Sequence, residues 1–578
     1  SDKEWKKVPD DSFDDLVQST YDVLMSGSSI TDYAVRVVVC DPTMPETNCK
    51  EYPSGTLKPT GLLQNYGERG KMYFGLITGS YAKNTSGGVL RKNISPLTGE
   101  LDPDTGEIDT THSEINLSTG QFTNENGIIR TLDRLRTVGF SYGDHSYNCN
   151  CGWITSRPIN EAECRMWGNP IGEMMYEGLR YFAGKEAATS AFTYSGTTDD
   201  STLGLATPEW QNPYSIYEYC AKPIMLVISD INPSFDSDQL PGSEFASFGG
   251  DVSGLDVGDL ADTIGSEEGE TGHRYIGQVG TTYDCACSEK NVTGLGNVRG
   301  LCPEEPTKLG SYYSASVAYF GQKTDVSTAS GSQKIDTYVV GLASPLPQIK
   351  IPVGEHTVTL VPFAKSVGGC YGPYTNFQPT NTIVDFFVES ISATEGTFRI
   401  NYEDVEQGAD HDMDAIVEYR YSVNGDSVTI TLESKYAAGC IIQHMGYIIS
   451  GTDGMDGTYL EVRDKDTAED DDPDYRFDTP DGEGPGGEWD DDVALPLTHT
   501  RVFTVGTTSG ATLLKNPLWY AAKWGGFRDY NGNNLPDESI EWDKDSNGIP
   551  DTYFYVTNPL YLETQLGRSF AEIVQRVA

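Results

Sequence analysis

From Pro345 to Gly510 the chain alternates apolar and polar residues and shows no helical spacing. Seven segments follow one another with turn residues between them: TVTLVPF, TIVDFFVES, TFRINYE, AIVEYRYSV, SVTITLES, IIQHMGYIIS and TYLEVRD. A strand sends successive side chains to opposite faces, so a period of two gives each strand one face to bury and one to wet. Short strands in such a series predict a β-sandwich. Within it, Asp464 to Asp492 is acidic and rich in Gly and Pro. That stretch reads as a mobile solvated loop rather than as an ordered cation site.

The flanks carry a different pattern. Phe13–Met25 has helical apolar spacing, and Tyr33–Cys40 reads as a strand rich in β-branched residues. Pro59–Tyr66 can open a short helix, and Met72–Thr78 is the next strand, an order that begins an α/β pattern. Residues 79–168 are polar and irregular. Asn169–Phe182 predicts a helix with Pro170 in its first turn and a buried stripe of Ile171, Met174, Met175, Leu179 and Phe182. Ile224–Ser229 and Ile335–Leu342 are continuous apolar runs, of the kind buried on both faces of a parallel sheet. The stretch 236–334 between them reads as loop. After the sandwich, Leu513–Phe527 contains a helix ended by Gly525-Gly526. Thr552–Val556 is a strand, and Pro559–Val577 an amphipathic helix with Asn558 as N-cap.

Between that helix and that strand lie two loops of explicit chemistry, DYNGNNLPD and DKDSNGIPD. Each sets oxygen side chains at alternate positions: Asp529, Asn531, Asn533 and Asp537, then Asp543, Asp545, Asn547 and Asp551. A tight loop can turn such groups onto one hard cation, with backbone carbonyls such as that of Ile549 and water completing the ~6–8 oxygens calcium takes. Gly548 permits the sharp turn, and Asn534 stands in its place in the first copy. Position twelve is Ile540 or Phe554 rather than Glu, so neither loop is a full EF-hand. They look more like the shorter loops of dockerin or thrombospondin type 3 repeats, and one or two Ca2+ ions are expected. The plain alternative is a solvated acidic turn.

Composition limits the partners. A net charge of −46 over 578 residues leaves no basic stripe for nucleic acid and disfavours anionic membranes. Bound divalent cations would relieve the self-repulsion. The eleven cysteines include close neighbours, Cys40 with Cys49, Cys151 with Cys164 and Cys287 with Cys302, which read as disulfides of an oxidising compartment. The odd count leaves at least one thiol free or paired outside the chain. No apolar run approaches the ~20 residues that span a bilayer. No signal peptide precedes Ser1, so the chain is expected to begin after a processing site or after an upstream region. The seven histidines are scattered, with no H-E-x-x-H and no G-x-S-x-G. His444 reads as a hydrogen-bonded core residue. The G-x-G-x-x-G at Gly482–Gly487 follows no strand and carries no weight. Catalysis is not expected.

GNPIGEMMYEGLRYF at Gly168–Phe182 and CAKPIMLVISDINPSFDSD at Cys220–Asp238 resemble segments of von Willebrand A domains, which bind a divalent ion at the carboxyl edge of the sheet. With KPTGLLQNYGERGKMYFGLITGSY, SGGVLRKNI and DSNGIPDTYFYVTNPLYLETQL, they resemble the PilC/PilY family of type IV pilus tip adhesins and assembly factors. The resemblance implies an A-like doubly wound α/β sheet with a large inserted β-sandwich and long disulfide-stapled loops. Its parts would be 1–344, the inserted 345–510, and 511–578 returning to the sheet. Asp230 would be the last ligand of the A-type site, for Mg2+ or Ca2+. The family's D-x-S-x-S is missing near Cys40, where DPTMP offers Asp41 and Thr43, and Asn169 stands where threonine is usual. The site is degenerate, or its first strand lay upstream. The resemblance also implies an extracellular, calcium-responsive protein whose partners are minor pilins or the pilus tip complex, an unidentified surface or receptor, and a C-terminal β-propeller that this chain does not reach. The alternatives are a calcium-dependent surface adhesin or filament protein not involved in pilus extension, and a secreted hydrolase.

Overall fold

The computed structural model describes residues 39–101, 105, 107–141, 146–147, 157–217, 221–303, 305–342, 346–369, 380–403, 414–439, 441–473, 478, 494–506 and 512–577. The helix expected at Phe13–Met25, and all but the end of the strand at Tyr33–Cys40, lie outside those residues. The first described elements are a small hairpin, Cys49–Glu51 with Leu57–Pro59, and helix α1 (Leu62–Gly67). Pro59 therefore ends a strand instead of starting the helix. Strand β1 (Phe74–Thr78) pairs antiparallel with β2 (Val89–Ser95), so it does not begin the parallel pattern that strand, helix and strand suggested.

Helix α2 (Ile171–Phe182) follows the irregular stretch. Its apolar stripe is buried except at Met174, which is partly so, and Glu173, Glu177 and Arg180 are buried as well. Those charges are satisfied. Glu177 accepts from Thr189 N at 3.0 Å and from Arg180 at 2.9 Å, and Glu173 accepts from Gly87 N at 2.6 Å and Gln239 N at 3.1 Å. Strand β3 (Ile224–Asp230) comes next.

The stretch read as loop, 236–334, holds helix α3 (Val257–Glu268), an antiparallel ribbon of β4 (Gly272–Val279) with β5 (Thr282–Val292), and helix α4 (Tyr313–Lys323). Helix α4 is buried on all sides from Tyr313 to Gly321, so its sequence, YSASVAYFG, has no polar face to make a stripe. Helix α3 did carry readable ends. Asp256 caps it by accepting from Asp259 N at 3.0 Å, and Gly269 follows it at φ 70°.

Strand β6 (Asp336–Leu342) pairs parallel with β3 from Asp336↔Ile224 to Leu342↔Asp230. It is buried along nearly its whole length, whereas β3 has β6 as its one strand neighbour among the described residues and leaves Ile228 half exposed. Of these two strands, β6 shows burial on both faces among the described residues.

After β6 the described chain builds nine antiparallel strands; seven lie on the segments whose alternation predicts them, and the first and last, Ile349–Val353 and Thr498–Thr504, were not among those segments. The nine are β7 (Ile349–Val353), β8 (His356–Gly369), β9 (Thr382–Ile391), β10 (Glu395–Glu403), β11 (Ala415–Asn424), β12 (Ser427–Ala437), β13 (Ile441–Ser450), β14 (Gly457–Arg463) and β15 (Thr498–Thr504). Two sheets result, β7-β8-β13-β14 and β9-β10-β11-β12-β15. They share one core, with Leu360, Met445 and Tyr459 from the first against Ile400, Val417 and Phe503 from the second. Each such side chain contributes about 1.5–3 kcal/mol on burial. The core phenols are paired: Tyr402 and Tyr419 hydroxyls lie 2.7 Å apart, and Tyr419 donates to Gly446 O at 2.8 Å. The acidic stretch beginning at Asp464 is not a free loop at its start. Asp464 accepts from Gln443 N at 2.7 Å, and Asp472 and Asp478 hold the two ring nitrogens of His444. Residues 474–477 and 479–493 lie outside the described ones.

The chain then returns to where it left. Strand β16 (Thr512–Leu513) joins β4 in parallel, and helix α5 (Pro517–Gly526) starts at Asn516, whose side chain accepts from Trp519 N at 2.8 Å. The helix ends at Gly526, as the Gly525-Gly526 pair suggested, with Phe527 as its C-cap. Both glycines sit in its last turn, where a Cβ on Gly525 would stand 2.6 Å from Ala318 Cβ and 2.7 Å from Thr337 Cβ. Strand β17 (Tyr553–Val556) pairs parallel with β6, Val339↔Tyr553 to Leu342↔Val556. The expected last helix is two pieces, a 3-10 turn Pro559–Tyr561 capped by Asn558 and helix α6 (Leu562–Val577).

The parallel sheet, in order β17-β6-β3, is covered on both faces. Val339 points into a core shared with α2, α4 and α5, while Tyr338 joins Leu62, Phe74, Phe570 and Ile573 of α1, β1 and α6. The protein is therefore mixed α/β, with several sheets and a β-sandwich-like part. The described residues supply three parallel strands, which do not by themselves amount to the A-type doubly wound sheet that was expected. The Cys40–Cys49 and Cys287–Cys302 disulfides are formed as the spacing suggested, and Cys164 is disulfide-bonded as well. Cys149, Cys151, Cys220, Cys370 and Cys440 lie outside the described residues. Among the described residues no helix is long and apolar enough to cross a membrane.

Candidate metal loops and sheet edge

The two acidic loops join α5 to β17 and adopt the same backbone fourteen residues apart. Left-handed residues recur at matching places, Gly532 (φ 79°) and Asn534 (60°), then Ser546 (52°) and Gly548 (78°). That turn points successive amides at the first aspartate of each copy. Asp529 accepts from Gly532 N at 2.8 Å, Asn533 N at 3.0 Å and Asn534 N at 3.1 Å. Asp543 accepts from Asn547 N at 3.0 Å and Gly548 N at 2.7 Å.

The remaining oxygens differ between the copies. In the first, Asn531 and Asn533 donate their side-chain amides to Asp537 at 3.0 and 2.9 Å. The Asn531 amide is the main cause that holds the Asp537 carboxyl below its usual range. In the second, Asn547 accepts from Ile549 N at 2.8 Å, and Asp551 accepts from Lys544 N at 3.3 Å through one oxygen. The other Asp551 oxygen is buried with no hydrogen bond, the Lys544 ammonium standing 3.5 Å away. Asp545 makes no hydrogen bond or ion pair among the described residues. The donor set of the second loop suits a hard cation, with an orphaned carboxylate oxygen and an unengaged carboxylate. In the first, the side-chain oxygens are already engaged. Sequence reasoning missed Glu541, which is buried, caps the short helix between the loops and accepts from Tyr530 N at 2.9 Å. Its signal was an acid just past the twelfth position.

At the carboxyl edge of the parallel sheet, Asn169 and Asp230 do meet. Asn169 follows Gly168, where φ is 109° and a Cβ would fall 2.2 Å from Asn84 O, and it precedes α2. Its side-chain amide donates to Ser229 Oγ at 2.9 Å, Asp230 Oδ1 at 3.1 Å and Asn232 O at 3.3 Å. Its backbone exchanges hydrogen bonds with Ser234, 2.7 Å to Oγ and 2.8 Å from N. Asp230 keeps some surface in solvent, but protein crowds it. That desolvation, with the Glu305 carboxylate, pushes its carboxyl up to about 6. Asp41 and Thr43 are bonded to each other, Asp41 Oδ1 accepting from Thr43 N at 2.8 Å and Oγ1 at 2.7 Å, and both are exposed. No hydrogen bond to the Asn169–Asp230 pair is found for either.

Asp236, which the sequence did not single out, accepts from Gly172 N at 3.2 Å and from Ser311 N at 2.8 Å. It thereby joins the start of α2 to the segment leading into α4, where helix dipoles favour an anion. Burial pushes its carboxyl up to about 7. A cavity of about 340 Å³ opens beside Asn232, lined among others by Tyr275, Trp519, Lys515 and Tyr555. Among the described residues, one trio of Cys, His or acidic ligand atoms lies within 4.8 Å of one another: Cys40, Glu46 and Cys49, whose sulfurs are joined to each other.

Comparison with known proteins gives two regions of family likeness. A family model described as the second domain of PilY1 homologs matches residues 74–321, and one described as their β-sandwich matches 351–494. The type IV pilus biogenesis factor PilY1 homolog of Xylella fastidiosa is 43% identical over 605 residues, covering 95% of this chain and 39% of its own length. The chain thus spans about two fifths of that relative. No solved structure matches it.

Proposed function

The chain belongs to the PilY1 homolog family, and on that premise we propose that it is an extracellular, type IV pilus tip-associated adhesin and assembly factor. The observation that carries this reading is 43% identity along 95% of the chain to a pilus biogenesis factor. Its partners would be minor pilins at the tip and an unidentified surface or receptor. Its work would be binding and load transfer, with no reaction catalysed.

The fold reading within this proposal is an A-type domain, 1–344 with 511–578, interrupted by a sandwich at 345–510. Its support is a parallel sheet with both faces covered, whose strands β6 and β17 are neighbours although the sandwich separates them in sequence. Calcium belongs in the same proposal. Asp543, Asp545, Asn547, the Ile549 carbonyl and Asp551 would hold one ion, and Asp529, Asn531, Asn533 and Asp537 a second once their internal bonds yield. The ion would supply a fixed charge that gathers the loop. The protein side is mechanical, since the loops fix the approach to β17 and, through it, to α6.

The test is deletion of the gene with complementation, counting surface pili and recovering the protein with sheared filaments. Fewer pili on deletion, and co-purification with minor pilins, are expected. Unchanged pilus number with lost adhesion would overturn the assembly role and favour a surface adhesin. An unfolding force on the C-terminal segment that calcium leaves unaltered would remove the mechanical part.

A further inference from the structure

Asn169 makes an arrangement that a metal-binding edge would not need. Its side-chain nitrogen stands among three oxygens, Ser229 Oγ, Asp230 Oδ1 and Asn232 O, at 2.9 to 3.3 Å. A carboxylate and a carbonyl only accept, so the group facing them must be the donor end of the amide. We propose that this sheet edge works without a metal, the Asn169 amide occupying the place among its oxygens that a divalent ion would take in an A-type site.

Three further observations agree. First, the charge is low. Asp230 is the one carboxylate bonded to the amide, and neighbouring Glu305 is paired with Lys308 at 2.9 Å. Second, Asp41 and Thr43 are bonded to each other through Asp41 Oδ1, and neither is found hydrogen-bonded to Asn169 or Asp230 among the described residues. Third, the chain uses the same device nearby. The buried Asn84 amide donates to the carbonyls of Glu163 at 2.8 Å, Cys164 at 3.2 Å and Trp167 at 2.8 Å. An amide of this kind gathers a loop around itself as a cation does, with two fixed protons in place of a charge. Asn169 is therefore a positioning residue. It ties the turn after β3 to the start of α2 through its side chain and, by way of Ser234, its backbone. Divalent-ion dependence of the protein would then arise away from this edge.

The test counts ions. Wild type, Asp230→Asn and Asn169→Asp are titrated with Mn2+, free ion being followed by electron paramagnetic resonance and folding by circular dichroism. The acidic loops contribute equally to all three. Wild type and Asp230→Asn should bind the same number, and Asn169→Asp, with a second carboxylate and no amide donor, one more. Loss of one ion in Asp230→Asn overturns the proposal, as does an unchanged count in folded Asn169→Asp. If Asn169→Asp does not fold, the comparison of wild type with Asp230→Asn decides alone. The pilus reading stands or falls on other measurements.

Discussion

The imidazole of His444, fully buried in the sandwich, sets Nδ1 2.6 Å from the Asp478 carboxylate. Asp472 meets Nε2 at 2.8 Å, so both ring nitrogens face an acid. Burial alone would lower the imidazole's affinity for its proton. The two carboxylates outweigh it and push the group up to about 10. The start of the acidic stretch is thereby fastened to β13 by a charged histidine.

A pH dependence follows from this. The folded value is raised above the ~6.5 of an unfolded histidine, so the stabilisation is complete below about pH 6.5 and is lost as pH climbs through about 10. Its size is on the order of a few kcal/mol. Urea unfolding at steps between pH 6.5 and 10 should show wild type losing more stability than His444→Gln. Parallel profiles would contradict the charged state.

For calcium, Asp545→Ala is the cleanest probe, because Asp545 makes no hydrogen bond or ion pair among the described residues that the substitution would break. Its melting temperature in chelator should equal that of wild type. In calcium, wild type should rise, since an ion bound to the native state alone adds about 2.7 kcal/mol at a hundredfold excess over Kd. The variant should rise less. Equal melting curves for wild type with and without chelator would end the calcium assignment.

The contact of α5 with α4 and β6 depends on Gly525. Gly525→Ala would place a methyl 2.6 Å from Ala318 Cβ, and overpacking of that kind costs about 1–3 kcal/mol. Denaturant unfolding would measure it. A neutral result would mean that the helix can shift away from β6.

Arg91 and Asp200 form an ion pair buried on both sides, and Asp200 also accepts from Ser80 at 3.1 Å and from Ala82 N at 3.2 Å. Asp200→Ala leaves an uncompensated guanidinium, for which about 3–5 kcal/mol of lost stability is expected. Replacing both by Arg91→Met with Asp200→Leu should recover part of that loss. A double variant no better than the single would show that hydrogen bonds, rather than charge, dominate the site.

The features legible in the sequence are those whose pattern is local. Period-two alternation is complete within seven or eight residues, so seven of the nine described sandwich strands fall where they were expected. The acidic loops are legible for the same reason, all their oxygens lying within nine residues of one another. Helix α4 was hidden because Ser314, Ala315, Ala318 and Gly321 are enclosed on every side, which leaves no amphipathic signal. Strands β3 and β6 look alike in composition, and only the pairing order among the described strands sets the central β6 apart from β3. The links from His444 to Asp478 and from Asn169 to Ser229 join residues 34 and 60 positions apart. No spacing rule reaches that far.

Strand β17 reaches its place beside β6 only after the chain between Leu342 and Tyr553 has been made. During synthesis, one side of β6 therefore waits, its amides and carbonyls unpaired, while a whole sandwich emerges behind it. Such a waiting strand is a template for wrong partners. The contiguous, antiparallel sandwich can close early by hairpins, while completion of the parallel sheet depends on arrival of the last stretch of chain. Any lesion that slows that arrival, even one far from β6, should thus show itself as aggregation of nascent protein before it shows itself as lowered stability of the finished one.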